Sequence, residues 1–322
     1  PMREVCILPF PLNDALLQGE TKELCLYEER FHKLFEKATK DHGGVVAMGL
    51  LSPPAGIIQT MPLCEVESFK TMVGDTGFGT SFSIFATIRA VGRASLIHIQ
   101  DDDSDDYNDA EFLVGWCTEM CDDTSSNNGR ASSQGEDVLQ SANDIADKVE
   151  EVFDSIIDLE QQLSLLGYDG VSDDAGMSEA TMKRRLLEAE LEAELDDEED
   201  DEDEDDEYLD LGDDDDDALY VDIARAKLQK AIQIAKSCDM QGYRISSMDA
   251  DATGMRSVQD LTALSWALFS WEEEHDAILR YRLGSLEIVD LYERLKLALV
   301  MMMERRSELK EALRSSTDKN ED

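Results

Sequence analysis

The chain is short of positive charge. Of its 322 residues, 29 are Lys or Arg while 74 are Asp or Glu, which gives a formal net charge of -45. A surface of this sign repels the phosphates of nucleic acids and anionic lipid headgroups alike. We therefore expect no nucleic acid and no membrane as a partner, and we expect a basic or apolar polypeptide segment instead.

Long apolar runs and paired cysteine motifs are also missing. The longest uncharged stretch, residues 43–64, contains Pro53, Pro54 and Pro62, so it is not a credible transmembrane helix. The six cysteines include no Cys-x-x-Cys pair. This spacing predicts reduced thiols and gives no zinc module.

The sequence carries no recognisable catalytic motif. The glycine cluster Gly74-x-x-Gly77-x-Gly79 has no following lysine, whereas a phosphate-binding Walker A loop requires one. A Gly-x-Ser-x-Gly nucleophile elbow is absent as well. We therefore expect a protein that is not an enzyme and that uses no cofactor.

What the chain does contain is a strand-rich first part. Residues 5–8, 24–27, 43–51, 63–73, 82–88, 96–99 and 111–120 have the composition or the alternation of strands. Gly92-Arg93 is interpreted as a tight corner between two of them. One early helix is predicted over 28–40, with Phe31, Leu34, Phe35 and Ala38 on one face. Short strands with one helix predict a small closed or half-closed barrel over 1–121.

The second part of the chain is predicted to be helical and is interrupted by an acidic segment. A Ser/Asn/Gly-rich linker is predicted over 122–135, followed by a long helix over 136–167. Residues 168–218 form an acidic low-complexity insertion that includes twelve consecutive carboxylates from Asp196 to Glu207. Like-charge repulsion predicts that this insertion is disordered. Helical periodicity resumes over 219–315, which predicts an α-helical bundle, and 316–322 is a tail.

Two separated motifs resemble one known family. The segment Leu8-Pro9-Phe10-Pro11-Leu12 with Glu29-Arg30-Phe31, and later Leu291 with Arg294-Leu295, is similar to the substrate-binding N-terminal domain of Lon proteases. The resemblance implies an α+β fold, namely a PUA-like β-barrel followed by an α-helical bundle, here with the acidic disordered insertion between them. It implies a stand-alone protein, because the ATPase and peptidase motifs are absent.

The resemblance also implies a function. It implies a non-enzymatic module that recognises polypeptide segments or client proteins, with the motif residues acting as structural signatures of the fold. Arg30 is expected to tie the first helix to the barrel, with a contact to a bound ligand as the alternative. Similar stand-alone proteins suggest a plastid or another organelle, with the cytoplasm as the alternative.

Two alternatives remain open at this stage. The chain could be an adaptor or scaffold that docks a basic protein through its acidic insertion. It could also be a calcium-regulated module, because Asp249, Asp251, Thr253 and Asp260 follow the spacing of an EF-hand loop. The last position is Asp rather than the usual bidentate Glu, however. The competing interpretation is a polar loop in which Ser257 caps the next helix.

Overall fold

The computed structural model describes residues 2–75, 80–100, 112–122, 134–165, 216–237, 256–271 and 275–320. Contacts divide the chain into two compact units. The first unit comprises Pro1–Val152 and Arg225–Met303, and the second comprises Phe153–Ala224 and Glu304–Asp322. The predicted linker and the acidic insertion lie mostly outside the described residues, and their boundaries stay predictions.

The first unit is built on a mixed sheet of seven strands. The strands are β1 (Met2–Pro11), β2 (Thr21–Leu26), β3 (Val45–Ser52), β4 (Gly56–Ile57), β5 (Thr60–Asp75), β6 (Thr80–Ile99) and β7 (Leu113–Met120). The helices of the described residues are α1 (Glu29–Asp41), α2 (Gln134–Leu165), α3 (Asp216–Lys236), α4 (Val258–Ala267), α5 (His275–Glu287) and α6 (Leu291–Asn320). The fold is therefore α+β, as expected.

Five of the strands pair in a closed circuit. Strand β1 pairs with β7, β7 with β6, β6 with β5 and β5 with β3, all antiparallel, and β3 returns to β1 in a parallel ladder. A parallel pair needs a crossover connection, and residues 12–44 supply one that contains β2 and α1. The remaining two strands are branches, with β4 on β3 and β2 on β6.

Strand β1 lies at the centre of the apolar core. Its residues Val5, Ile7 and Leu8 are at most 2% exposed. The side chain of Ile7 extends over both neighbouring strands, because glycine occupies a diagonal position on each, Gly49 on β3 and Gly115 on β7. A Cβ atom would lie 2.5 Å from Ile7 at Gly49 and 2.7 Å from Ile7 at Gly115. Small residues on both sides therefore make room for one large one.

Helix α1 follows its sequence pattern. The apolar residues Phe31, Leu34, Phe35 and Ala38 recur at helical spacing and are buried, which confirms the predicted face. Phe35 stacks on Phe69 of β5 with ring centroids 5.6 Å apart. This packing attaches the helix to the sheet.

The predicted corner at Gly92-Arg93 is wrong. Both residues lie inside β6, a continuous strand in which Arg93 pairs with Pro62 of β5 and with Met120 of β7. The glycine marks a place where β6 exchanges neighbours, since residues 84–89 pair with β2 and residues 93–99 pair with β7. A strand that changes partners needs local irregularity, and a glycine provides it without reversing the chain.

Three helix termini lie two to five residues beyond the predicted boundaries at 136, 219 and 315, and the last helix enters the predicted tail. Helix α2 begins at Gln134, α3 begins at Asp216 within the last acidic run, and α6 continues to Asn320. Within the second unit, Arg305 pairs with Glu160 at 3.1 Å. None of the described helices combines the length and the apolar composition that a membrane crossing requires.

Gly19 offers a test of how β2 is positioned. Its φ is +92°, and a Cβ there would lie 2.5 Å from the backbone oxygen of Ile234 in α3. We expect Gly19→Ala to lower the free energy of unfolding by about 1–2 kcal/mol through strain at positive φ and by about 1–3 kcal/mol more through overlap. Urea unfolding measures this loss.

The matched control is Gly56→Ala. Gly56 has nearly the same φ, +90°, but nothing lies within 4 Å of its Cβ position. Gly56→Ala should therefore lose stability through backbone strain at positive φ but not through steric overlap. Equal losses in the two variants would contradict the packing of α3 against this turn.

Candidate functional site

Strand β2 carries an open edge. It pairs antiparallel with residues 84–89 of β6, and no other strand of the described residues pairs with it. A strand with one unpaired side presents a row of free N–H and C=O groups to any extended chain that approaches. We call this side of the strand, with the residues that flank it, the β2 edge.

The hydrogen bonds at the start of β2 show which residues face outward. Ala90 N donates to Glu20 O at 2.9 Å. In an antiparallel ladder, residues that bond to the partner strand recur at every second position. Residues 22, 24 and 26 therefore bond to β6, while Thr21, Glu23 and Cys25 direct their backbone groups outward.

The side chains of the β2 edge are exposed. Thr21, Glu23 and Cys25 are exposed, and Tyr27, just beyond the strand, is 69% exposed. Cys25 Sγ lies 3.2 Å from Tyr27 Oη. Phe85, which is opposite Cys25 on β6, is 47% exposed. An aromatic pair beside unpaired backbone is a surface that can hold an apolar side chain.

Sequence reasoning recognised a strand here but missed its role as an edge. The segment 24–27 is predicted as a strand from its composition, and the structure extends it to Thr21. The sequence of a strand does not indicate how many other strands pair with it. The one available signal is the pair of charged residues Lys22 and Glu23 within the strand, because edge strands often carry charged side chains.

A buried ion pair fixes the start of β2. The Arg282 side chain of α5 is 1% exposed and donates to both carboxylate oxygens of Glu20, at 3.0 and 2.6 Å. The same guanidinium donates to Ala15 O and Phe269 O. Glu20 also accepts from Leu17 N at 2.7 Å. The turn before β2 is thus held by a bidentate, charge-assisted contact with the helical part of the unit.

A second buried carboxylate joins the sheet to the helices. Asp122, two residues after the end of β7, accepts from Arg93 of β6 at 2.6 Å and from Arg294 of α6 at 2.7 and 2.8 Å. Trp266 of α4 lies against both guanidiniums, 4.8 Å from Arg93 and 4.0 Å from Arg294. Sequence reasoning placed Asp122 at the start of a linker, yet it anchors four elements.

The charges in this cluster shift one another's ionisation. Burial would raise the pKa of Asp122, but the guanidinium of Arg294, together with that of Arg93, outweighs burial and holds the pKa below its ordinary value. Burial lowers the pKa of Arg93 to about 10 against the opposing attraction of Asp122. Both groups remain charged at neutral pH, so the cluster serves structure and has no group ready to accept or donate a proton there.

Most of the family-motif residues lie in the core. Arg294 is 0% exposed, Pro11 and Glu29 are exposed, and Pro9 and Leu12 are half-buried. The apolar motif residues that are buried are Leu8, Phe10, Phe31, Leu291 and Leu295. Of this set, Arg294 alone enters the Asp122 cluster, and no motif residue belongs to the β2 edge.

Arg30 contacts neighbours within its own segment of the chain. Its guanidinium pairs with Glu28, two residues earlier, at 2.7 Å and lies 4.9 Å from the ring of Phe31. These contacts are local and exposed. The tie between α1 and the sheet is made instead by Phe35 and by His32, whose Nδ1 lies 2.8 Å from Thr71 Oγ1.

Of the four candidate calcium ligands, Asp260 lies among the described residues. Asp249, Asp251 and Thr253 lie outside the described residues. Asp260 is described, and its carboxylate completes a capping box with Ser257 while pairing with Lys236 at 2.7 Å. These partners lower the pKa of Asp260. Within the described ranges no group of three or more potential ligands could hold a metal ion.

Two open cavities are lined by described residues of the first unit. One of about 630 Å³ lies along α1 and Phe69. Another of about 420 Å³ is lined by Arg3, Glu4, Lys37, Asp41 and His42. Lys37 pairs with Glu4 at 3.1 Å, and burial lowers the pKa of His42. Neither cavity brings a nucleophile and a base together, so the β2 edge is the stronger candidate site.

The comparisons with known proteins give a structural likeness without a sequence match. No family model matches the chain, and no curated protein matches it. Among the solved structures, 44 chains match. One is the crystal structure of a Lon N-terminal domain protein from Xanthomonas campestris, which is 18% identical over 43% of this chain and 70% of that chain, with a TM-score of 0.28.

The Asp122 cluster gives a pH-dependent prediction. Because the folded pKa of Asp122 is depressed, its contribution to stability is complete above the ordinary carboxyl pKa and is lost as pH falls through the folded value. We expect Asp122→Asn to lower the free energy of unfolding by about 3 kcal/mol near neutral pH. The difference from the parent chain should shrink below about pH 4.

The control is Asp14→Asn, which breaks the half-exposed pair with Lys22. Its cost should be about 1 kcal/mol or less. Urea unfolding of the three proteins across the acid range measures both effects. An Asp122→Asn deficit that stayed constant with pH would contradict the ionised cluster.

Proposed function

We propose that this protein is a non-enzymatic polypeptide-recognition module that binds extended segments as an added strand along the β2 edge. The single observation that carries this proposal is the unpaired outer side of β2 with the exposed aromatic rings of Tyr27 and Phe85 beside it. The partners are polypeptide segments or client proteins, with no nucleic acid and no membrane.

The physics of strand addition suits a receptor for many segments. The main-chain groups of Thr21, Glu23 and Cys25 supply hydrogen bonds that any sequence except proline can satisfy. Side chains at alternate positions then contribute weaker selectivity. The ion pair between Glu20 and Arg282 holds the beginning of β2 in place before a partner arrives, which reduces the entropic cost of ordering the edge.

We also propose that the first unit contains a PUA-like barrel. The closed circuit of five strands supports that description. The motifs that resemble the Lon N-terminal domain supply buried residues to this unit, including Phe10 and Arg294. A role as a stand-alone substrate receptor, in a plastid or another organelle, is the corresponding proposal for the whole protein.

A second candidate function is favoured by the run of twelve carboxylates at 196–207. An adaptor would dock a basic protein through this run by long-range attraction, and the interaction would weaken in salt. Deleting residues 196–217 should abolish capture of a basic partner if the chain is an adaptor. The same deletion should leave binding at the β2 edge intact.

Proline at an outward-facing position tests the proposed function. We expect Cys25→Pro to weaken binding of an extended peptide at least about tenfold, because the ring removes an outward N–H and obstructs an added strand. Since the N–H of Cys25 does not bond to β6, the fold should survive. The probe is a fluorescent peptide of about ten residues with alternating Val and Thr and one Tyr, and anisotropy measures its affinity.

The matched control is Cys25→Ala, which removes the thiol but keeps the N–H. It should bind within about threefold of the parent chain. Circular dichroism of both variants checks that they remain folded. Equal affinity of Cys25→Pro and Cys25→Ala would show that the β2 edge does not accept a strand.

A further inference from the structure

We infer that the β2 edge selects extended segments that carry a basic side chain two residues from an aromatic or apolar one. This inference rests on the proposed function and adds the chemical class of the segment. It follows from the order of side chains along the outer side of β2. The sequence there reads polar, acidic, thiol and aromatic at Thr21, Glu23, Cys25 and Tyr27.

Glu23 is an exposed carboxylate on the outer side of β2. Its neighbour across the ladder is Thr87, which in turn is opposite Ser68 on β5. The nearby cations have other partners, since Lys22 pairs with Asp14 and Arg89 pairs with Glu67. Within the part of the chain that the structure describes, Glu23 has no ion pair or hydrogen bond from its side chain. An added strand would place one side chain directly opposite this carboxylate.

The next position on the same face is apolar. Cys25 is opposite Phe85 on β6, and Tyr27 follows two residues later. Side chains that are directly opposite in an antiparallel pair approach within about 5 Å at Cβ, and those on one face recur at every second residue. A segment with Lys or Arg opposite Glu23 therefore presents its next same-face side chain to Cys25, Phe85 and Tyr27.

The charge of the whole chain favours such a segment over a second copy of this protein. Two copies would each carry a net charge of -45, and their edges would bring like charges together. A basic segment is attracted by the same field, and its approach is accelerated. We therefore commit to a basic, partly apolar polypeptide as the occupant of the β2 edge.

A charge-swap experiment on the full chain tests the inference. Three peptides share the alternating Val and Thr sequence with one Tyr and differ at a single position two residues from the Tyr, which is Lys, Gln or Glu. The parent chain should bind the Lys peptide about three- to tenfold more tightly than the Glu peptide, with Gln between them. Glu23→Lys should reverse this order.

The matched control is Glu65→Lys, which changes the net charge by the same amount. Glu65 is exposed on β5, and β6 lies between it and β2. It is thus about 10 Å from β2, a distance at which salt screens most of its effect. This variant should keep the order of the parent chain. If Glu65→Lys reverses the order as Glu23→Lys does, the general field selects the peptide and the inference is overturned.

The remaining outcomes separate the inference from the proposed function. If all three peptides bind equally and Cys25→Pro still abolishes binding, the proposed function stands and the charge selection is overturned. If no peptide binds, both fail. Sedimentation of the parent chain tests whether a second copy of the protein occupies the edge. A dimer that is dissociated by Cys25→Pro but is not displaced by the peptides would assign the edge to a second copy.

Discussion

The contact on which the first unit depends is the buried carboxylate of Asp122 between two arginines. It joins β6, the end of β7, α4 and α6 through Arg93, Arg294 and Trp266. Two guanidiniums against one carboxylate leave an excess positive charge in a region where isolated charge is costly. The indole ring of Trp266, which faces both cations, offsets part of that cost. Removing Asp122 would therefore leave two buried guanidiniums without a carboxylate to compensate them.

A similar logic positions the candidate site. Glu20 and Arg282 connect the turn before β2 to α5, so that the helices determine where the free edge begins. The edge is a branch on β6 and lies outside the closed circuit of strands, which leaves one side of β2 available without opening the core. Binding along β2 consequently requires no rearrangement of the packing around β1.

Local patterns in the sequence predict much of this fold. The face of α1 and the buried run of β1 follow directly from periodicity and composition. Gly92-Arg93 was misinterpreted because a glycine in a strand resembles a turn until the partner strands are known. The role of Asp122 could not be predicted, because Arg294 is 172 residues away along the chain. The openness of the β2 edge depends on which strands do not pair with it, and that is a property of the tertiary structure.

Among the described strands β2 pairs with β6 alone, which also has a mechanical consequence. Six consecutive residue pairs join the two strands, and the interstrand hydrogen bonds lie perpendicular to the strand direction. A tension along a chain bound beside β2 would load these bonds together, in shear. A tension across the strand would break them one after another, as in unzipping. The same edge would therefore resist a client pulled along its axis and release one that is peeled from an end.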